Sequence, residues 1–93
     1  MERTEDGRYV AIDGRRWRAT DPLLPEDVAA ELRRELMQAR RAVGAAPRAG
    51  DEATERVARA AVQAARVALG ERGMPWWEQT AQERQARWEK GLS

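Results

Sequence analysis

Residues 51–69 read DEATERVARAAVQAARVAL, and this stretch decides the fold. Asp51 is a good helix N-cap, and the glycines at 70 and 73 supply a stop. At 100° per residue, Ala53, Val57, Ala60, Ala64 and Val67 form one apolar row, and Ala58, Val62, Ala65 and Leu69 form another. With Ala61 and Ala68 added, only a strip about 80–100° wide stays polar, carrying Arg56, Arg59, Gln63 and Arg66. A helix apolar on so many sides must pack on more than one of them. The expectation is a homodimer, plausibly a four-helix bundle, with Ala58, Ala61, Val62, Ala65 and Leu69 as its seam.

The stretch before it supplies the partner helix. Val28, Leu32, Leu36, Ala39 and Val43 recur at spacings of four, four, three and four, a single apolar stripe. Pro25 suits a first helical turn, and Glu26 and Asp27 complement its positive end. Helix one is expected over about 25–43, ended by Gly44 and Pro47, and helix two over about 51–69. The connector is short, so the two should be antiparallel neighbours.

Further toward the N-terminus, Tyr9-Val10-Ala11-Ile12 meets Arg15-Arg16-Trp17-Arg18 across Asp13-Gly14. Asp-Gly between two short runs signals a two-residue hairpin turn, whose residues both need positive φ. The register then sets Val10 opposite Trp17 and Ile12 opposite Arg15 on one face, and Tyr9 opposite Arg18 and Ala11 opposite Arg16 on the other. The first face carries the apolar load and should rest on the helices, because a lone hairpin is barely stable. Tyr9 should stack with Arg18, and Trp17 should be buried. Residues 1–7 are polar and expected to fray.

Toward the C-terminus, Pro75-Trp76-Trp77 should close the open end of the hairpin. Thr80-Ala81-Gln82-Glu83 has the form of a capping box, which could open a short last helix through Trp88. The fold class is thus mainly α: an antiparallel two-helix hairpin with a small N-terminal β-hairpin and room for a short C-terminal helix. A single domain spans 8–78, made of the β-hairpin (8–20), the two helices and the Pro-Trp-Trp segment (74–78). Residues 79–93 read as a variable tail.

Composition narrows the chemistry. Alanine supplies 18 of the 39 hydrophobic residues among 93, and Phe is absent, so the core is thin. That again favours a partner. Seventeen basic and 16 acidic residues leave a net charge of +1, which gives no long-range field. Lys90 is the one lysine against 16 arginines, a bias that the codons of a GC-rich genome explain. With no Cys and no His, thiol nucleophiles, disulfides, imidazole bases and the common zinc and haem ligands are excluded. Glu31 with Glu35, and Asp51 with Glu52 and Glu55, sit where caps and surface ion pairs occur, and no convergent ligand set accompanies them. No enzyme, metal or cofactor is expected. The start of the chain has no apolar run of the signal-peptide kind, and no stretch suits a bilayer, so a cytoplasmic protein without membrane contact is expected.

Two readings of function follow. In the first, the chain is a non-enzymatic interaction or adaptor module that meets an unidentified protein partner through Trp76 or Trp77 and Arg15, Arg16 and Arg18, since Trp and Arg anchor interfaces. In the second, Arg15, Arg16 and Arg18 join Arg33, Arg34, Arg40 and Arg41 of helix one to hold nucleic-acid phosphates. The second needs the two arginine groups on one continuous face, free of Asp13, Asp21, Glu31 and Glu35.

The runs YVAIDGRRWRATDP (residues 9–22) and VALGERGMPWWE (residues 67–78) resemble a family of small uncharacterised proteins of GC-rich bacteria, some labelled "biopolymer transporter Tol". The resemblance covers about residues 8–78. It implies a genuine bacterial unit and carries over no catalytic residue.

Overall fold

The computed structural model describes residues 2–92, with the side chains at 47–49 outside the description. It is mainly helical, with a small sheet at the N-terminus. Strands β1 (Glu2–Arg3), β2 (Tyr9–Ile12) and β3 (Arg15–Arg18) are followed by α1 (Glu26–Ala49), α2 (Glu52–Ala68), a single 3-10 turn (Trp76–Glu78) and α3 (Ala81–Leu92).

The β2–β3 pairing has the register read from the sequence, with Val10 opposite Trp17 and Ile12 opposite Arg15. Asp13 and Gly14 take φ of 51° and 77°, as this turn demands. The first residues depart from expectation: residues 2–3 do not fray but form β1 beside β2. A second Asp-Gly pair makes this turn. The Asp6 carboxylate accepts from the Thr4 hydroxyl (2.6 Å) and the Arg8 amide (3.0 Å), and Gly7 has φ 73°. Met1 lies outside the described residues.

Helix α1 also runs past its expected end, through Gly44 and Pro47 to Ala49. Pro47 forgoes one backbone N–H bond, and the helix ends two residues after it. Gly50, with φ 69°, then turns the chain. Asp51 caps α2, its side chain accepting from the Thr54 amide at 3.0 Å. At the other end Gly70, φ 83°, lets its own N–H and that of Glu71 bond Val67 and Arg66 carbonyls. A Cβ at Gly70 would stand 2.9 Å from that of Asp21, so glycine is needed there for space as well.

The core joins Leu24, Ala29, Leu32 and Leu36 to Ala65, Ala68 and Leu69, with Trp88 from α3. Leu32 and Leu69 are both 0% exposed. The stretch 79–93, set outside the domain by the sequence reading, therefore supplies part of the core (Ser93 lies outside the described residues). The capping box forms in full: Thr80 N–H donates to Glu83 Oε1 (2.8 Å), and Glu83 N–H donates to Thr80 Oγ1 (3.1 Å).

A buried ion cluster fastens α3. Asp21, 2% exposed, accepts from Arg84 Nε (2.9 Å), Arg84 Nη2, Arg87 Nη2 (2.7 Å) and the Leu23 amide (2.8 Å). Its own N–H donates to the Leu69 carbonyl (2.9 Å), and Arg87 Nε donates to that of Ala68 (3.2 Å). The segment before α1, the end of α2 and α3 thus meet at one carboxylate.

This packing corrects the proposed dimer seam. Ala58, Ala65 and Leu69 are buried in the chain's own core, Val62 packs beside it, and only Ala61 is exposed. α1 and α3 together cover that row. The row left in solvent is the other one: Ala53, Val57 (71% exposed), Ala60 and Ala64, with Val67 half-buried.

Candidate binding groove

The apolar face of the hairpin does not close onto the helices. Ile12 and Trp17 are 41% and 40% exposed. They look across an open groove of about 810 Å³ whose floor includes Val10, Leu36, Met37 and Leu69. Trp17, expected to be buried, is a groove wall.

The sheet is held instead through its opposite face. Tyr9 meets Trp77 edge-on at 5.6 Å, and Trp77 meets Trp76 at 5.2 Å. Arg8 and Arg18 lie over Trp77 at 4.8 and 5.7 Å, and Arg18 Nη1 donates to the Gly73 carbonyl (2.7 Å). The guanidinium over Tyr9 belongs to Arg16 (4.7 Å), the diagonal neighbour across the strands, and not to Arg18 directly opposite. Trp76 is buried, its Nε1 donating to the Ala19 carbonyl (3.0 Å). It is therefore a fold residue and not a free anchor, whereas Trp77 is half-buried among aromatic and Arg neighbours.

The expected arginine groups divide. Arg18 from β3 and Arg33 and Arg40 from α1 do line the groove. Arg15 stacks over Trp17 at 4.8 Å, at the groove's wall. Arg34 and Arg41 border a shallower patch beside Arg33 and Met37, where Arg34 pairs with Glu31 at 2.6 Å. Among the described residues three more arginines line it: Arg3, Arg66 and Arg72. Neither residue type nor helical period marks them; antiparallel packing of α1 on α2 brings Arg66 and Arg72 to the side of Arg40.

Among the described residues lining the groove Glu71 is the one acid, and both of its oxygens are engaged. Oε2 accepts from Thr20 Oγ1 (2.7 Å) and Oε1 from Arg66 Nη1 (3.1 Å). Asp13, Asp21, Glu31 and Glu35 do not line it. Arg66 Nε is buried with no hydrogen-bond partner. Burial lowers the proton affinity of Arg66, and Arg40 lowers it further; Glu71 opposes them, and Arg72 adds to the decrease. The groove therefore offers N–H donors above an apolar floor, which suits an anion attached to apolar groups.

Three other carboxylates hold structural places. Asp51 caps α2, Glu55 faces Arg59 at 3.7 Å, and Asp21 is enclosed by two guanidiniums. Among the described residues no group of three potential metal ligands converges, and no helix is long and apolar enough to cross a membrane. Compared with family models, curated proteins and solved structures, the chain matches none.

Proposed function

We propose that this chain is a non-enzymatic adaptor module whose groove receives an acidic, apolar-anchored segment of a partner protein. One observation carries the reading: among the described residues Arg3, Arg33, Arg40, Arg66 and Arg72 surround an apolar floor against a single, already engaged Glu71, while the Arg18 guanidinium at the edge is held by Gly73 and Trp77. Apolar side chains of the partner would enter between Trp17 and Leu36, and carboxylates would meet the arginine forks. Self-association through α2 remains part of the proposal, and the row available for it is Ala53, Val57, Ala60 and Ala64.

The convergence of Arg18, Arg33 and Arg40 favours nucleic acid as a second reading. The floor argues for the peptide: nucleobase edges need acceptors as well as donors, and Glu71 is engaged. The test is anisotropy of two labelled ligands of equal charge, a Glu/Leu peptide and a single-stranded DNA. Saturable binding of the peptide alone supports the adaptor. Binding of the DNA alone, falling steeply with salt, replaces it with the second reading.

A further inference from the structure

We propose that Arg40, Arg66 and Arg72 form an oxyanion seat within the groove, which takes one phosphate or carboxylate group. The proposal deepens the adaptor reading by naming where the partner's anionic group is held. All three residues line the large groove, which adjoins a recess of about 290 Å³ lined also by Arg59 and Gln63. Arg40 and Arg72 wall both spaces.

The balance of charge there is uneven. Glu71 answers Arg66 alone (3.1 Å). Arg72 donates to a neutral acceptor, Gln63 Oε1 (2.7 Å), and among the described residues no carboxylate pairs with Arg40 or Arg72. Three positive charges thus face one negative charge. Holding them together costs Coulomb energy that a bound anion would relieve. The second observation is the empty donor: Arg66 Nε is shut off from water with no acceptor, and a buried donor left this way is costly. An oxyanion in the groove would accept from the exposed Arg40 and Arg72, and a turn of the Arg66 side chain toward it would satisfy the buried N–H as well.

The test uses the full chain and observes the Arg66 Nε–H by nitrogen–proton correlation spectroscopy during titration with inorganic phosphate, and separately with glutarate. Sodium chloride at matched ionic strength is the control. The seat predicts a saturating shift with at least one of the two oxyanions and none with chloride. The stronger oxyanion tells whether the seat prefers a phosphoryl group or a carboxylate. Arg40→Gln with Arg72→Gln, both at exposed positions, should weaken that binding by about tenfold or more while the thermal midpoint holds. A shift that tracks ionic strength alone, or one unchanged in the double variant, overturns the seat. If the Glu/Leu peptide still binds while neither oxyanion does, the seat fails and the adaptor stands. If an oxyanion binds and the peptide does not, the adaptor fails and the seat stands.

Discussion

Arg84 grips Asp21 with two nitrogens of one guanidinium, across 63 residues of chain. The geometry is a bidentate fork on a carboxylate whose side chain is 0% exposed. Burial alone would raise the Asp21 pKa, but hydrogen bonds from Arg84, Arg87 and the Leu23 amide outweigh it and hold the carboxyl below its ordinary 3.8. A depressed carboxyl contributes stability that is present above the unfolded value and lost as pH falls through the folded one. The thermal midpoint should therefore hold steady toward pH 5 and drop below about pH 4. Asp21→Asn should lower it at neutral pH by an amount equivalent to about 3–5 kcal/mol, since two guanidiniums lose their counterion, and should flatten the acid limb. Circular dichroism melts across pH check both.

Two glycines on different helices should respond in opposite directions. A Cβ at Gly91 would collide with the Cβ of Ala68, where α3 crosses α2. Gly91→Ala is expected to cost about 1–3 kcal/mol. Gly44, within α1, has no atom near the added methyl, so Gly44→Ala should stabilise by about 0.5–1 kcal/mol. Denaturant titrations of the two variants measure this directly.

The last helix should prove integral to folding. Trp88 is buried against Leu32 and Leu69 in the core cluster. Trp88→Ala is expected to cost about 3–5 kcal/mol. A chain cut after Glu78 should lose cooperative unfolding, because it also lacks both guanidiniums that pair with Asp21. A sharp melt in the truncated chain would show that α3 is dispensable.

The two rows of α2 give a contrast between folding and assembly. Ala65→Glu places a charge in the chain's own core and should lower the thermal midpoint sharply. Val57→Glu sits on the exposed row and should leave the midpoint unchanged while abolishing any dimer seen by sedimentation. A dimer unaffected by Val57→Glu would place self-association elsewhere.

What was readable in the sequence was local. Asp13-Gly14 set the hairpin register because few residue pairs accept positive φ twice in succession, and the Leu32–Leu36–Ala39 spacing marked the buried stripe of α1. Asp6-Gly7 carried the same turn signal, but the two residues paired through it, Glu2 and Arg3, have no apolar side chain to betray a strand. The excess apolar surface of α2 was real, yet one side of it is met by α3, whose attachment depends on Trp88 and on arginines reaching a buried aspartate. Periodicity cannot see that polar pairing. The groove escaped notice for a related reason. Arg33 and Arg40 lie on α1, Arg66 on α2 and Arg72 beyond its end, and only the packing of α1 on α2 gathers them.

The most direct test compares two charge reversals on one helix. Arg33→Glu with Arg40→Glu alters the groove, and Arg34→Glu with Arg41→Glu makes the same change of net charge outside it. With the labelled Glu/Leu peptide, the groove pair is predicted to weaken binding by more than about tenfold and the outer pair by less than about threefold. Equal losses in both pairs would mean that net charge alone attracts the peptide, and would contradict a binding groove.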